Sequence, residues 1–143
     1  MSLAYFDTSA LVKNYVQEAG SNRVRKLLRE HEFLSSAITP IELLSALGRR
    51  QRQGDINRSA YNSIIVRVKQ DRLFWRLVES APPVLAQAEE IVTNHSVRTL
   101  DAIHLASVLV IQESLGARVP FISADERQVA AARECQLDTV AAF

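Results

Sequence analysis

The chain has few of the residues that crosslink a protein or anchor it in a membrane. Its single cysteine, Cys135, excludes a disulfide within the chain; it lies in a helical pattern, which favours a packing role and suggests a reducing compartment. The longest apolar run, Leu105 to Ile111, is far shorter than the roughly 20 residues of a membrane-spanning helix. No basic segment leads into a long apolar core, as a secretory signal requires. We therefore expect a soluble, cytoplasmic protein that does not bind membranes.

The charge of the chain is nearly balanced overall but uneven along its length. Up to Arg76 there are thirteen Lys or Arg and seven Asp or Glu, a net charge of +6, whereas from Leu77 onward there are four against nine, a net charge of −5. A basic half favours a polyanionic partner such as nucleic acid. Solvated helix faces explain the same charges equally well, so charge alone leaves both interpretations open.

Short apolar segments alternate with helical patterns along the chain. Leu3 to Phe6 predicts a strand buried on both faces, Phe33 to Ser36 a second strand, and Val119 to Ser123 a further one. Leu137 to Ala141 is typical of a final edge strand, and Phe74 to Val78 fits a strand or a helix end equally. This βαβ alternation predicts an α/β fold, a three-layer α/β/α sandwich around a short parallel sheet.

Two helices in the basic half are predicted to form a protruding hairpin. The first begins at Thr39-Pro40-Ile41-Glu42, with Thr39 as the N-cap and Glu42 completing a capping box, and runs to about Gly54. The second runs from Ala60 to about Trp75. The apolar positions predicted to face the core are Ile41, Leu44, Ala46, Leu47, Tyr61, Ile64, Ile65, Val68 and Leu73.

Two further helices follow the hairpin. One runs from Pro82 to about Asn94, and the next begins at a Thr99 cap and ends at Leu115 before Gly116. The apolar positions of the first are Val84, Leu85, Ala88, Ile91 and Val92. No repeat or low-complexity linker interrupts the chain, which predicts a single domain over residues 1–143.

Four acidic residues are predicted to meet at one edge of the sheet. Asp7 follows the first strand, Glu42 and Asp101 lie in the first turns of helices, and Asp125 follows a later strand. Each acid also has a structural explanation, since a carboxylate near a helix N-terminus is stabilised by the helix dipole. In a parallel sheet, however, the strand ends and the starts of the following helices lie on the same edge, so the four carboxylates can converge.

A cluster of carboxylates persists only if protons or cations neutralise it. Hard oxygen ligands without cysteine select Mg²⁺ or Mn²⁺ rather than zinc. Such an ion orients a phosphodiester, lowers the pKa of a bound water and stabilises charge on the leaving oxygen. The acids therefore predict metal-dependent phosphodiester hydrolysis, which also supplies a polyanion for the basic half.

Four segments carry these acids in a specific order and spacing. They are Tyr5 to Lys13 (YFDTSALVK), Thr39 to Leu47 (TPIELLSAL), Arg98 to Ala106 (RTLDAIHLA) and Phe121 to Asp125 (FISAD). Together they resemble the PIN domain, specifically the VapC-type toxins of toxin–antitoxin systems. The resemblance covers essentially the whole chain.

The resemblance implies an endoribonuclease that needs Mg²⁺ or Mn²⁺. The catalytic and metal-binding residues that it implies are Asp7, Glu42, Asp101 and Asp125, supported by a hydroxyl from Thr8 or Ser9. It also implies a homodimer and a cognate antitoxin whose C-terminal segment blocks the site. Many relatives carry a further acid beyond the last Asp, whereas here Glu126 is adjacent and Gln128 is neutral, so the resemblance leaves the occupancy of a second metal open.

Three other functions fit parts of the pattern. The loss of a single acid would be enough to produce a catalytically weak PIN scaffold that binds RNA or protein, and this chain keeps all four. A signalling receiver domain requires a Lys after a late strand, and the segment Ser123 to Asp125 has none. A phosphatase of the haloacid dehalogenase type requires an Asp at the position of Ser9. The RNA-cleaving toxin is therefore the leading hypothesis and the scaffold is the alternative.

Residues beside the acids also have two interpretations each. His104 lies on the same helical face as Asp101, where a partly buried structural histidine is favoured over a metal ligand or base. Arg98 and Arg127 are within reach of a scissile phosphate, or they pair with the acids when metal is absent. The sequence does not distinguish these roles.

Overall fold

A parallel five-stranded sheet forms the centre of the molecule, and the computed structural model describes all 143 residues. The strands are β1 (Leu3–Phe6), β2 (Glu32–Ser36), β3 (Arg76–Val78), β4 (Phe121–Ser123) and β5 (Thr139–Ala141). Their order across the sheet is β3-β2-β1-β4-β5, and every neighbouring pair is parallel. The predicted α/β fold is confirmed.

Helices connect the strands, as parallel pairing requires. They are α1 (Thr8–Tyr15), α2 (Ser21–Glu30), α3 (Thr39–Arg52), α4 (Arg58–Asp71), α5 (Pro82–Asn94), α6 (Thr99–Leu115) and α7 (Glu126–Glu134), with a 3₁₀ turn at Arg72–Phe74. None of the helices combines the length and apolar character that crossing a membrane requires.

Alternating side chains of the central strands build cores on both faces of the sheet. On one face Tyr5 stacks on Phe121 with ring centroids 5.5 Å apart, and this core includes buried residues of α5 and α6. On the other face Phe6 stacks on Phe33 at 5.5 Å, beneath α1 and α2. The core therefore lies in two layers around β1, which is the middle strand.

Strand β1 also places Asp7 between the two halves of the sheet. It pairs with β2 on one side and β4 on the other, so the chain leaves β1 toward one half of the sheet and returns later to the other half. A crevice forms at such a point, outside the carboxyl ends of the strands. Asp7, which directly follows β1, lies in this crevice.

The predicted capping box at the start of α3 is wrong. Ile38 occupies the N-cap without a side-chain hydrogen bond. Thr39 is buried, and its Oγ1 accepts from the backbone N of Ser36 at 3.2 Å and lies 2.6 Å from Oγ of Ser35. Thr39 therefore ties the helix to the end of β2, which leaves the Glu42 carboxylate free to interact elsewhere. Thr99 is likewise not a cap, because Arg98 holds that position.

Several apolar side chains that were predicted to be buried face outward. Leu43 and Leu47 define the buried side of α3, and Ile41 lies about 200° around the helix from Leu43, so it is 74% exposed. Leu73 is 81% exposed because it belongs to the 3₁₀ turn, where helical periodicity no longer applies. Leu44, Leu85 and Val92 are exposed as well.

The ambiguous segment around Trp75 contains a short edge strand. The 3₁₀ turn ends at Phe74, and β3 then pairs with β2, with Arg76 opposite Leu34 and Val78 opposite Ser36. Three residues are too few to show a periodicity, so the pairing partner defines this strand.

Candidate active site

A cavity of about 430 Å³ opens at the carboxyl ends of β1 and β4. All four carboxylates singled out from the sequence line it, namely Asp7, Glu42, Asp101 and Asp125, together with Thr8, Ser9 and His104. The structure therefore brings side chains from widely separated parts of the chain into one place. We call this space the acidic cavity.

Asp7 is buried and fixed by hydroxyl groups from two directions. Its Oδ1 accepts from Oγ of Ser9 at 2.6 Å and from the backbone N of Ala10 at 3.0 Å, so it also caps α1. Its Oδ2 accepts from Oγ of Ser123 at 2.5 Å. Burial raises the pKa of Asp7, and the positive charge of His104 and these hydrogen bonds offset only part of that effect. An ionised Asp7 is thus held in position at a cost that a nearby cation would relieve.

Ser123 is a site residue that sequence reasoning missed. It is the last residue of β4 and is fully buried, and besides donating to Asp7 it accepts from the backbone N of Asp125 at 3.1 Å. Ser9 completes this arrangement, because its Oγ accepts from the backbone N of Ala124 at 2.9 Å. The signal that could have identified Ser123 was its place at the carboxyl end of a predicted strand, directly before Ala124 and Asp125.

Glu42 is held by two donors at its Oε1. Oγ1 of Thr8 donates at 2.7 Å and Nε2 of His104 lies at 2.6 Å. Burial alone would raise the pKa of Glu42, but the hydrogen bonds and the charge of His104 outweigh burial, so the pKa lies below its usual range. Glu42 is therefore an ionised carboxylate whose position depends on α1 and α6.

His104 joins the acidic cavity to the core. It is 2% exposed, and its Nδ1 lies 2.7 Å from the hydroxyl of Tyr5. An ionised Glu42 only accepts hydrogen bonds, so Nε2 of His104 is the donor in that contact. The structure buries His104, as the sequence favoured, and it also gives the ring a direct role in orienting an acid of the cavity.

Asp101 and Asp125 are held less firmly than the other two acids. Oδ2 of Asp101 lies 3.5 Å from Nε of Arg98, whose side chain is 81% exposed. Burial raises the pKa of Asp101; Arg98 lowers it and the nearby charge of Asp125 raises it further. Asp125 is the N-cap of α7, where its Oδ1 accepts from the backbone N of Arg127 at 2.9 Å.

Gln128 and Arg127 lie outside the acidic cavity. Gln128 is 2% exposed, and its Nε2 donates to the backbone carbonyl of Asp101 at 3.0 Å, so it connects α7 to α6. Arg127 is exposed and pairs with no acid. Of the two arginines considered from the sequence, only Arg98 lines the cavity, where it pairs with Asp101.

Basic side chains form another wall of the acidic cavity. Lys13, Arg49, Arg50 and Arg98 line it. Glu18 lies between two of them, with its carboxylate oxygens 3.2 Å from Nζ of Lys13 and 2.7 Å from Nη2 of Arg50. Burial alone would raise the pKa of Glu18, but these partners lower it. The cavity therefore presents acids beside cationic groups suited to a phosphate.

The donor atoms of the acidic cavity fit a hard divalent cation. Carboxylate oxygens are the ligands that Mg²⁺ and Mn²⁺ prefer, and burial raises the pKa of Asp7 and of Asp101 by more than their neighbours lower it. No three His, Cys, Asp or Glu side chains are assembled into a ready-made metal site, however.

Comparison with known proteins gives a family and several relatives. The sequence model of the PIN domain matches residues 4–134. Ribonuclease VapC46 of Mycobacterium tuberculosis is 32% identical over 117 residues, which cover 81% of this chain and 82% of that protein. Ribonuclease VapC49 of the same species is 34% identical over 116 residues, which cover 78% of each.

Solved structures agree on the fold. The crystal structure of Mycobacterium tuberculosis VapC20, described as a Sarcin-Ricin loop cleaving toxin, superposes with a TM-score of 0.66 at 19% identity and covers 90% of this chain and 94% of that one. A toxin–antitoxin complex from Klebsiella pneumoniae gives a TM-score of 0.69 at 13% identity, with 98% of each chain covered. At these identities the likeness shows the fold alone.

Proposed function

The chain belongs to the PIN domain family, with VapC-type ribonucleases among its relatives, and on this basis we propose that it is a Mg²⁺- or Mn²⁺-dependent endoribonuclease and the toxin of a toxin–antitoxin pair. One observation carries the proposal: four carboxylates from separate parts of the chain line one cavity that also has a cationic wall. Their assignment as catalytic and metal-binding residues is part of the proposal.

In this proposal, Asp7, Glu42, Asp101 and Asp125 hold the divalent cation, which supplies a Lewis acid and a lowered pKa for a water molecule. Ser9 and Ser123 fix the Asp7 carboxylate in one orientation. Thr8 and His104 do the same for Glu42 and keep it ionised.

The cationic wall has a separate role, which is to position the RNA backbone. Arg49 has no carboxylate partner within the molecule, so it is available to a phosphate oxygen. Arg98 is exposed and pairs with Asp101 through a single contact at 3.5 Å. Such a pair contributes little to stability, so Arg98 can exchange Asp101 for a phosphate when the acid binds a cation.

The relatives also support a protein partner. Toxin–antitoxin complexes share the fold of this chain, which supports a cognate antitoxin that covers the acidic cavity. The homodimer implied by the sequence resemblance remains part of the proposal. A basic half with a net charge of +6 suits an RNA substrate.

One observation favours the alternative function, an RNA- or protein-binding scaffold without turnover. No three potential ligands are assembled into a metal site, and Arg98 already pairs with one of the acids. A scaffold would bind RNA without cleaving it under any metal condition.

Cleavage of structured RNA in Mg²⁺, in Mn²⁺ and in EDTA distinguishes these functions. We expect the purified chain to cleave with either metal and not in EDTA, and Asp7→Asn to be inactive. Glu79→Gln is the matched control, because Glu79 is exposed, makes no ion pair and lies outside the acidic cavity. Cleavage that survives EDTA or Asp7→Asn contradicts the proposal, and binding without turnover in every condition favours the scaffold.

A further inference from the structure

A second cavity, of about 380 Å³, lies between α1, α2 and α4 at the amino ends of β2 and β3. We call it the arginine cavity and define it by Tyr15, Arg25, Arg29, Phe33, Arg67 and Trp75. It is at the opposite edge of the sheet from the acidic cavity, and it shares no lining residue with it.

The arginine cavity carries uncompensated positive charge. Arg25, Arg29 and Arg67 line it, and none of them forms an ion pair within the molecule. Nη1 of Arg25 donates to the neutral side-chain amide of Gln17, and the guanidinium of Arg67 lies 5.2 Å from the ring centroid of Tyr15. These guanidinium groups therefore lack the anionic partners that arginine side chains commonly bind.

The only acid that lines the arginine cavity is already engaged. Oδ2 of Asp71 accepts from the hydroxyl of Tyr15 at 2.6 Å and forms no ion pair with the arginines. Three cationic groups thus line the cavity with only one carboxylate, and an anionic ligand would neutralise the excess positive charge.

Aromatic rings in the arginine cavity provide a surface on which a nucleic-acid base can stack. Trp75 is half-buried and lines the cavity, and its ring centroid lies 5.2 Å from that of Phe33 at an angle of 38°. Phe33 in turn stacks on Phe6, so the aromatic contacts extend from Trp75 into the core. A planar base can stack on such a platform while guanidinium groups hold the adjacent phosphates, which is how proteins bind single-stranded nucleic acid.

We propose that the arginine cavity is a second RNA-binding site, at which Arg25, Arg29 and Arg67 hold phosphates and Trp75 stacks on an unpaired base. The choice of RNA rests on the proposed ribonuclease function. Helix α1 connects the two cavities, since Thr8 lines one and Tyr15 lines the other. The helical rise places these residues about 10 Å apart along the axis, so one strand of RNA can contact both cavities.

The fluorescence of Trp75 reports directly on this site, because it is the only tryptophan in the chain. We would titrate a single-stranded RNA of about ten nucleotides into Asp7→Asn protein in EDTA, where no cleavage is expected. Saturable quenching of Trp75 is the expected result. RNA binding detected by anisotropy without any change in Trp75 fluorescence overturns the proposal.

Two double variants with equal charge loss test the arginines. Arg29→Gln with Arg67→Gln should weaken binding by at least about tenfold and lower the slope of log K against log salt by about 1.4, since two phosphate contacts are lost. The control is Arg23→Gln with Arg58→Gln, which changes exposed arginines on the same two helices outside the cavity. Equal weakening by both double variants overturns the proposal, because it indicates a general surface charge.

Trp75→Phe and Trp75→Leu separate stacking from packing, with binding followed by anisotropy. Phe retains a ring and should keep most of the affinity, whereas Leu should lose at least about fivefold. Similar affinities for Phe, Leu and wild type contradict stacking. Quenching of Trp75 by polyglutamate but not by RNA also overturns the proposal, since it indicates an acidic protein partner.

These measurements are independent of the ribonuclease assay. If RNA quenches Trp75 but the wild-type chain never cleaves RNA, the second site stands and the nuclease proposal fails. If the wild type cleaves RNA with metal but Trp75 does not respond, the nuclease proposal stands and the second site fails.

Discussion

The two sides of the acidic cavity are built differently. Asp7 and Glu42 accept hydrogen bonds from hydroxyl and imidazole groups that are buried or half-buried next to β1. Asp101 and Asp125 instead interact with an exposed arginine and with backbone amides at the start of a helix. The first pair is held by contacts in the interior and the second by more exposed contacts, so we expect the second pair to move more readily.

This difference explains how a cavity with four acids can exist without an assembled metal site. Carboxylates repel one another, so a chain that fixed all of them in one position would lose stability. In the function that we propose, Asp7 and Glu42 would be ligands of defined position, and Asp101 and Asp125 would adjust when a cation compensates their charge. The predictions below test this division into a fixed side and a movable side.

The largest effect is expected for Asp7→Asn on the fixed side. RNA cleavage should fall on the order of 10³-fold, because a ligand that stabilises several kcal/mol of transition-state charge is lost. The free energy of unfolding in EDTA should rise at neutral pH, because the variant no longer buries a carboxylate with a raised pKa. Cleavage assays and thermal unfolding measure the two effects.

The sign of the pH dependence follows from the raised pKa of Asp7. The folded protein binds this proton more tightly than the unfolded chain does, so the stabilisation is complete below the usual pKa of Asp and is lost as the pH rises through the raised value. Asp7→Asn should therefore gain stability relative to wild type as the pH increases above about 4. A variant that loses stability relative to wild type over this range would contradict the assignment.

The next largest effect is a difference in the free energy of unfolding between Ser123→Ala and Asp125→Asn. Removing the Ser123 hydroxyl leaves the buried Oδ2 of Asp7 without a donor, which should lower the free energy of unfolding by about 1–3 kcal/mol. Asn caps a helix as well as Asp does, so Asp125→Asn should change it by less than about 0.5 kcal/mol while still reducing cleavage. Chemical denaturation measures both; equal losses of stability would show that the two sides do not differ.

The smallest effect is expected for Arg98→Gln on the movable side. Its exposed ion pair with Asp101 is worth less than about 1 kcal/mol, so stability should hardly change. Binding of Mn²⁺ should tighten by about twofold to tenfold, because a competing cation is removed from Asp101. Isothermal titration with Mn²⁺ measures this, and weaker binding would indicate that Arg98 does not compete with the metal. The same change at Arg118, which lies outside the acidic cavity and pairs with Asp138, is the control.

Much of the fold followed from the sequence because its central strands are strongly apolar. The strand that begins at Leu3, the helix Pro82–Asn94 and the helix that ends before Gly116 were predicted within a residue or two. Strand β3 was left undecided because its three residues depend on β2 for their structure. The outward orientation of Ile41 depends on how α3 packs, which a sequence pattern of mixed apolar residues does not determine.

The convergence of the four acids was also predictable, because parallel strands share an edge. The partners of those acids were less predictable. Glu42 was interpreted as part of a capping box, but its partners Thr8 and His104 come from other helices. Ser123 and the Glu18 contacts with Lys13 and Arg50 depend on side-chain packing between distant segments, which spacing along one helix does not show.

The position of β4 beside β1 has a consequence for synthesis of the protein. Asp7, Glu42 and Asp101 leave the ribosome first, but β4, with Ser123 and Asp125, is translated later and must insert next to the central strand. A nascent polypeptide that stops short of this strand cannot assemble the complete pocket. If the chain is the toxin that we propose, the ribosome that produces it faces no competent nuclease until β4 and Asp125 have been synthesised.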